Sequence, residues 1–160
     1  MKVRHLMTPD VNTCRPHDGL DIAARLMWAN DCGCVPVLDA NGRVIGMLTD
    51  RDICMAALTQ GGPLAQLRVA SAMANHVYSC EPEDSLAAAE ELMRVHQIRR
   101  LPVIAADGRL AGILSLSDLA REAARQRSRK KKADVTVDGL SRTLAAVSEP
   151  HESGSVATAM

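Results

Sequence analysis

Apolar residues recur along this chain with two alternating periods, and the order of those periods is repeated. Leu20, Ala23, Ala24 and Met27 fall three or four apart, the stripe of an amphipathic helix. Residues 35–38 and 44–49 follow as short aliphatic runs. Between them lies Asn41-Gly42, a dipeptide that tolerates positive φ and favours a hairpin. A second helix is predicted over 50–58, and residues 11–14 read as a short strand ahead of the first helix. Shifted by 66 residues the same pattern returns: a strand at 77–80, a helix carrying Leu86, Ala89, Leu92 and Met93, strands at 101–104 and 110–115 around Asp107-Gly108, and a helix over 117–125. Asp84-Ser85 supplies an N-cap for the third helix.

The two copies align without a gap. Met7 falls on Met73, Cys14 on Cys80, Pro36-Val37 on Pro102-Val103, Gly46 on Gly112 and Asp52 on Asp118. The chain therefore reads as a duplicated βαββα unit, with repeat 1 over 1–60, a linker over 61–68 opened by Gly61-Gly62-Pro63, and repeat 2 over 69–125. One such unit is too small to bury its sheet comfortably. Two units packed sheet to sheet with pseudo-twofold symmetry form an α/β fold, bury a shared core and leave a cleft between them. Beyond Gln126 the periodicity stops. A basic run over 125–132 leads into a stretch rich in Ser, Thr, Ala and Glu, so residues 126–160 are expected to form a flexible tail.

Composition narrows the function. The chain has no Phe, one Trp (Trp28) and one Tyr (Tyr78), so its cores must be aliphatic, and stacking single-stranded bases on several aromatics is excluded. Formal net charge is zero, which gives no global field toward nucleic acid or membrane. No apolar run is long enough to span a bilayer, and the first residues lack the apolar stretch of a signal peptide. With five scattered cysteines, this points to a cytoplasmic protein with reduced thiols. No nucleophile–base motif, P-loop or dinucleotide fingerprint is present, so no catalytic residue and no enzyme activity are expected. The five histidines show no paired spacing, and Cys32-Gly33-Cys34 has no further ligands beside it in sequence, so no metal is expected either.

The candidate chemistry sits at the strand-to-helix junctions. Thr49 with Asp52, and Ser115 with Asp118, are three residues apart. That spacing places a hydroxyl and a carboxylate beside the unpaired N–H groups of a first helical turn, where anions are favoured and a carboxylate can accept from ribose hydroxyls. The same spacing is that of a capping box, which needs no ligand, and the two roles can coexist. Arg99-Arg100 precedes Leu101-Pro102, where a guanidinium fork suits phosphate. The alternative is a solvated pair at a strand edge. Alternation along a strand would send the two arginines to opposite sides.

The duplicated unit, the Pro-Val pair ahead of each hairpin, and the segments 46–52 (GMLTDRD) and 112–118 (GILSLSD) together resemble a CBS-domain pair, or Bateman module, over about residues 3–125. The chain is similar to stand-alone bacterial proteins of that family, including the hypoxic response type. The resemblance implies an adenosine-containing regulatory ligand (AMP, ADP, ATP or another adenosyl compound) in the cleft, rather than a cofactor. It also implies a disc-shaped homodimer and an effector protein that the sequence does not identify. By similarity to the nucleotide-sensing gamma subunit of AMP-activated kinase, each site draws on both repeats. Site A would take Ser115, Ser117 and Asp118, with Asn12, Cys32 and Gly33 around the base. Site B would take Thr49 and Asp52, with Tyr78, Ile98 and Arg100. Arg99 would serve site A, and Asp50 counts against polyphosphate in site B. Two other readings stay open: a structural module or thiol-based redox switch with an empty cleft, and nucleic-acid binding through the basic tail.

Overall fold

The computed structural model describes residues 1–127 and 135–150. Repeat 1 contains α1 (Leu20–Ala29), β1 (Cys34–Leu38), β2 (Val44–Thr49) and α2 (Asp50–Gln60), and repeat 2 contains α3 (Leu86–Val95), β3 (Arg100–Ile104), β4 (Leu110–Ser115) and α4 (Leu116–Arg127). Each strand pair is an antiparallel hairpin in the same register: Val35 lies opposite Leu48, as Leu101 does opposite Leu114, and both carry an irregularity just before the turn. The turns rest on Gly42 and Gly108, whose φ angles of 79° and 83° are strained for a side-chain-bearing residue. No helix among the described residues is long and apolar enough to cross a membrane.

The strands expected at 11–14 and 77–80 shrink to single parallel bridges, Cys14 to Val37 and Cys80 to Val103. The cause is Pro36 and its counterpart Pro102. The N–H of Cys14 reaches the Pro36 carbonyl and that of Leu38 reaches the Cys14 carbonyl, but a proline has no N–H with which to extend the ladder upstream.

The core also differs from the single shared one expected. Buried residues form two clusters, one per repeat: Leu20, Ala23, Val35, Val37, Leu48 and Ile53 in the first, and Leu86, Ala89, Leu101, Val103, Leu114 and Leu119 in the second. Each cluster is closed by a segment from outside its own unit. Val3, in a single helical turn at the N-terminus, is fully buried in the repeat 2 core, and Val69, just after the linker, in that of repeat 1. Thr8 exchanges both backbone hydrogen bonds with Ile113 of β4, at 2.8 and 2.9 Å, and Ala74 does the same with Met47 of β2, at 2.9 and 3.0 Å. These crossings need a glycine beneath them. A Cβ on Gly112 would lie 2.8 Å from the Thr8 carbonyl oxygen, and one on Gly46 2.7 Å from the Met73 sulfur.

The stretch read as a flexible tail contains a fifth helix, α5 (Val137–Ser148), packed on α3 and α4. Thr136 caps it by accepting from the Gly139 N–H at 3.0 Å, and Thr143 and Val147 are buried. The Thr143 hydroxyl donates to Glu90 at 2.8 Å, and Val135 just ahead is buried in the repeat 2 core. An apolar stripe of Val137, Leu140, Leu144 and Val147 is present in the sequence, but Gly139, Ser141 and Thr143 between them lower the helix propensity that would have disclosed it. Of the basic run, Arg125 belongs to α4, where it pairs with Glu122 at 2.7 Å, while residues 128–132 lie outside the described residues.

Candidate functional site

Two cavities lie where the repeats meet, and the pseudo-twofold relates their walls. The first, of about 500 Å³, is lined by Asn12, Cys32, Gly33, Ser115, Ser117 and Asp118, all six residues expected around site A, together with Asp10, Asp31, Arg100 and Arg121. The second, of about 660 Å³, is lined by Thr49, Asp52, Tyr78, Ile98 and Arg100, the five expected around site B. Asp50, Arg51, His76, Gln97 and Arg99 join them, as does the end of α5 with Val147, Ser148, Glu149 and Pro150.

The two arginines are not divided between the cavities as alternation would have it. Arg99 lines cavity B and not cavity A, whereas Arg100 lines both. Arg100 opens β3 opposite Ser115, and its guanidinium lies over Gly33, where a Cβ would come within 3.2 Å of an arginine nitrogen and 3.0 Å of the Asp50 carboxylate. Glycine at 33 therefore leaves the room the long side chain uses to reach both sides. Arg99 stands one residue before the strand, so alternation within a strand does not govern it. Among the described residues neither Arg99 nor Arg100 forms an ion pair, in contrast to Arg121 on Asp118 and Arg125 on Glu122.

Both capping boxes form. The second carboxylate oxygen (Oδ2) of Asp52 accepts from the Thr49 N–H at 2.8 Å and its hydroxyl at 2.7 Å, while the Asp52 N–H donates back to that hydroxyl at 3.2 Å. Ser115 and Asp118 repeat the pattern at 2.8, 2.6 and 3.2 Å. The caps leave the other oxygen (Oδ1) differently placed. In Asp118 it holds Arg121. In Asp52 it has no hydrogen-bond partner among the described residues, and Asp52 is one of the residues that line cavity B.

Three features of the cavity walls escaped the sequence reading. Tyr78 stacks on His96 at 3.6 Å between ring centroids and meets the edge of His76 at 4.6 Å, so the only tyrosine sits in a small aromatic cluster. Asp31 and Gln97, at matching positions just after α1 and α3, both adopt left-handed backbone, with φ of 47° and 53°. They carry the chain from each helix to the cavity edge, and neither is a glycine that would mark the bend in sequence. The wall supplied by α5 could not be foreseen without the helix itself.

The thiols are all free. Burial, the main cause, pushes Cys14 and Cys34 up to about 11 and Cys80 up to about 12, against an ordinary value of 9.0, and for Cys34 the nearby Arg100 charge only partly offsets it. These three thiols stay protonated at neutral pH and are poor nucleophiles. Among the described residues no group of three His, Cys, Asp or Glu side chains could hold a metal ion.

Two hairpin-and-helix units that close each other's cores, with pseudo-equivalent cavities between them walled by both, define a duplicated α/β module. The family model for the CBS domain matches residues 3–59 and again 69–125, and the chain belongs to that family. It is 41% identical to the CBS domain-containing protein YhcV of Bacillus subtilis over 118 residues, which is 74% of this chain and 82% of that one. It is 33% identical to Hypoxic response protein 1 of Mycobacterium tuberculosis over the same shares. Hypoxic Response Protein I, crystallised with two coordinated zinc ions, superposes with a TM-score of 0.69, 32% identity and coverage of 76% of this chain and 98% of that one. CBSX2, crystallised in complex with AMP, superposes with a TM-score of 0.66, 28% identity and coverage of 80% and 98%.

Proposed function

We propose that this chain is a regulatory ligand sensor of the cytoplasm, without catalysis of its own, which binds an adenosine-containing ligand in the cavities between its repeats. The observation that carries this reading is the convergence of the expected residues. Six residues from both repeats line one cavity and five line the other, and Arg100, which forms no ion pair among the described residues, stands in the wall of both. An unpaired arginine pair beside a helix start suits a phosphate group. The partnerless Oδ1 of Asp52 suits a ribose hydroxyl in cavity B. In cavity A the Asp118 oxygen must first be released from Arg121, which makes B the stronger ribose site. Asp50 and Glu149 in the wall of B favour a single phosphate there over a polyphosphate. CBSX2, of the same fold and 28% identical, holds AMP. Because each cavity takes residues from both repeats, occupancy favours one relative placement of the two. An effector protein can read that preference when the coupling reaches ~1–3 kcal/mol.

A thermal-shift screen with AMP, ADP, ATP and S-adenosylmethionine tests the proposal. A ligand at a hundredfold excess over its Kd stabilises by about 2.7 kcal/mol. The expected result is such a shift, reduced in Asp52→Ala. Folded protein that no adenosyl compound stabilises would overturn the reading.

A further inference from the structure

The two cavities are built alike from the repeats, but only one also has a wall from outside them. Cavity A takes its lining from residues 8–121. Cavity B takes four residues, Val147, Ser148, Glu149 and Pro150, from the end of α5 and the two positions that follow it. This helix lies beyond residue 125, where the second match to the CBS model ends. It has no counterpart 66 residues earlier, where no α-helix forms.

One side chain ties the helix to the cavity. Gln97 lines cavity B, and its amide donates to the Ala146 carbonyl in the last turn of α5 at 3.3 Å. Elsewhere α5 is lightly held. Only Thr143 and Val147 are buried, Val137 and Leu144 are half exposed, and the Thr143 hydroxyl donates to Glu90 at 2.8 Å. A helix that buries so little apolar surface opens more readily than the core beneath it.

Charge sets what this wall can close over. Arg99 and Arg100 also line the space between α4 and α5, together with Ser148, so a phosphate held by their forks lies beside the end of α5. With those two arginines on the first phosphate, a second meets Asp50, Asp52 and Glu149 with only Arg51 in the wall to offset them. The end of α5 adds the partial negative charge of a helix C-terminus, and its last turn holds no basic residue.

We infer that α5 is a strap over cavity B, which closes on a nucleoside monophosphate and lifts for a longer phosphate chain. This rests on the reading of cavity B as an adenosine nucleotide site. AMP in B touches both the repeats and the end of α5, and so holds the helix down. ATP brings its further phosphates against the negative end of the helix and binds with the strap released. The linkage is reciprocal: whatever loosens α5 weakens AMP relative to ATP. The docking of α5 thereby reports how many phosphates the ligand carries.

Hydrogen exchange of the full chain, read by mass spectrometry beside calorimetric titration of each nucleotide, tests it. AMP at saturation should slow exchange over 137–148 by about fivefold or more, and ATP should not. Thr143→Asp, which sets a carboxylate against Glu90 and alters no residue lining either cavity, should cut the preference for AMP over ATP by about the same factor. If that variant fails to fold, Glu149→Gln at the exposed end of the strap should move the preference in the same direction. AMP that binds without slowing exchange over 137–148, ATP that slows it equally, or a preference unchanged in the folded variants would each overturn the inference and leave the nucleotide site standing. A folded wild type that binds neither nucleotide would overturn the nucleotide site, and the strap with it.

Discussion

A carboxylate that caps a helix and faces a cavity has two separable roles, and Asp52 and Asp118 divide them unequally. Each accepts from a backbone N–H and a hydroxyl, so each Asp→Ala change should cost about 1–2 kcal/mol of stability without ligand, measurable by urea unfolding. Among the described residues, of the two only Asp52 keeps an unpartnered oxygen, so Asp52→Ala should lose more of the AMP-induced shift than Asp118→Ala; the reverse order would mean that cavity A is the principal site. The cysteines make a second residue-scale prediction. Alkylation of native protein at mildly basic pH, followed by mass spectrometry, should label exposed Cys54 first, with Cys14, Cys34 and Cys80 reacting only on unfolding. The same burial fixes a pH dependence. These thiols are protonated in both folded and unfolded chains below about 9, so their contribution is complete there. It is lost as pH rises toward 11 and 12, because the unfolded chain gains by ionising first. Stability that does not fall above 9 would contradict the burial of the three sulfurs.

At the scale of elements, the crossing segments are the most exacting feature. Gly112→Ala drives a methyl against the Thr8 carbonyl, a backbone atom with little freedom, whereas Gly46→Ala first meets the end of the flexible Met73 side chain. Gly112→Ala should therefore destabilise by roughly 1–3 kcal/mol and exceed Gly46→Ala, although the two positions are equivalent in sequence. For α5, Val147→Ala should cost about 1–2 kcal/mol, two buried methyl groups, and raise hydrogen exchange within 137–148 before the rest of the chain. What was legible in the sequence follows from what is local. The four hairpin strands and their flanking helices carry a clear period and explicit turn dipeptides, and they form where that pattern places them. The short strands failed because their length is set by Pro36 and Pro102 on the strand they pair with. The burial of Val3 and Val69 in the opposite unit's core depends on long-range pairing that leaves no local trace. The capping-box spacing was legible as a cap, and its residues stand in the cavity walls. The direction of Arg99 was not, since it lies outside the strand whose alternation would aim it.

For the molecule as a whole, the two repeats are joined by their exchanged segments and by cavities that neither completes alone. The side chain that best expresses this is Arg100, which starts on β3 of repeat 2, passes over Gly33 of repeat 1 and lines both cavities. Under the proposed function, a ligand that engages it would engage both repeats at once. The central claim is most directly tested by calorimetric titration of AMP into the wild-type chain and into Arg100→Ala. The account predicts measurable binding to the wild type and at least a tenfold loss, about 1.4 kcal/mol, in a variant that remains folded. Binding of equal strength to both proteins, or no binding to a folded wild type, would contradict it.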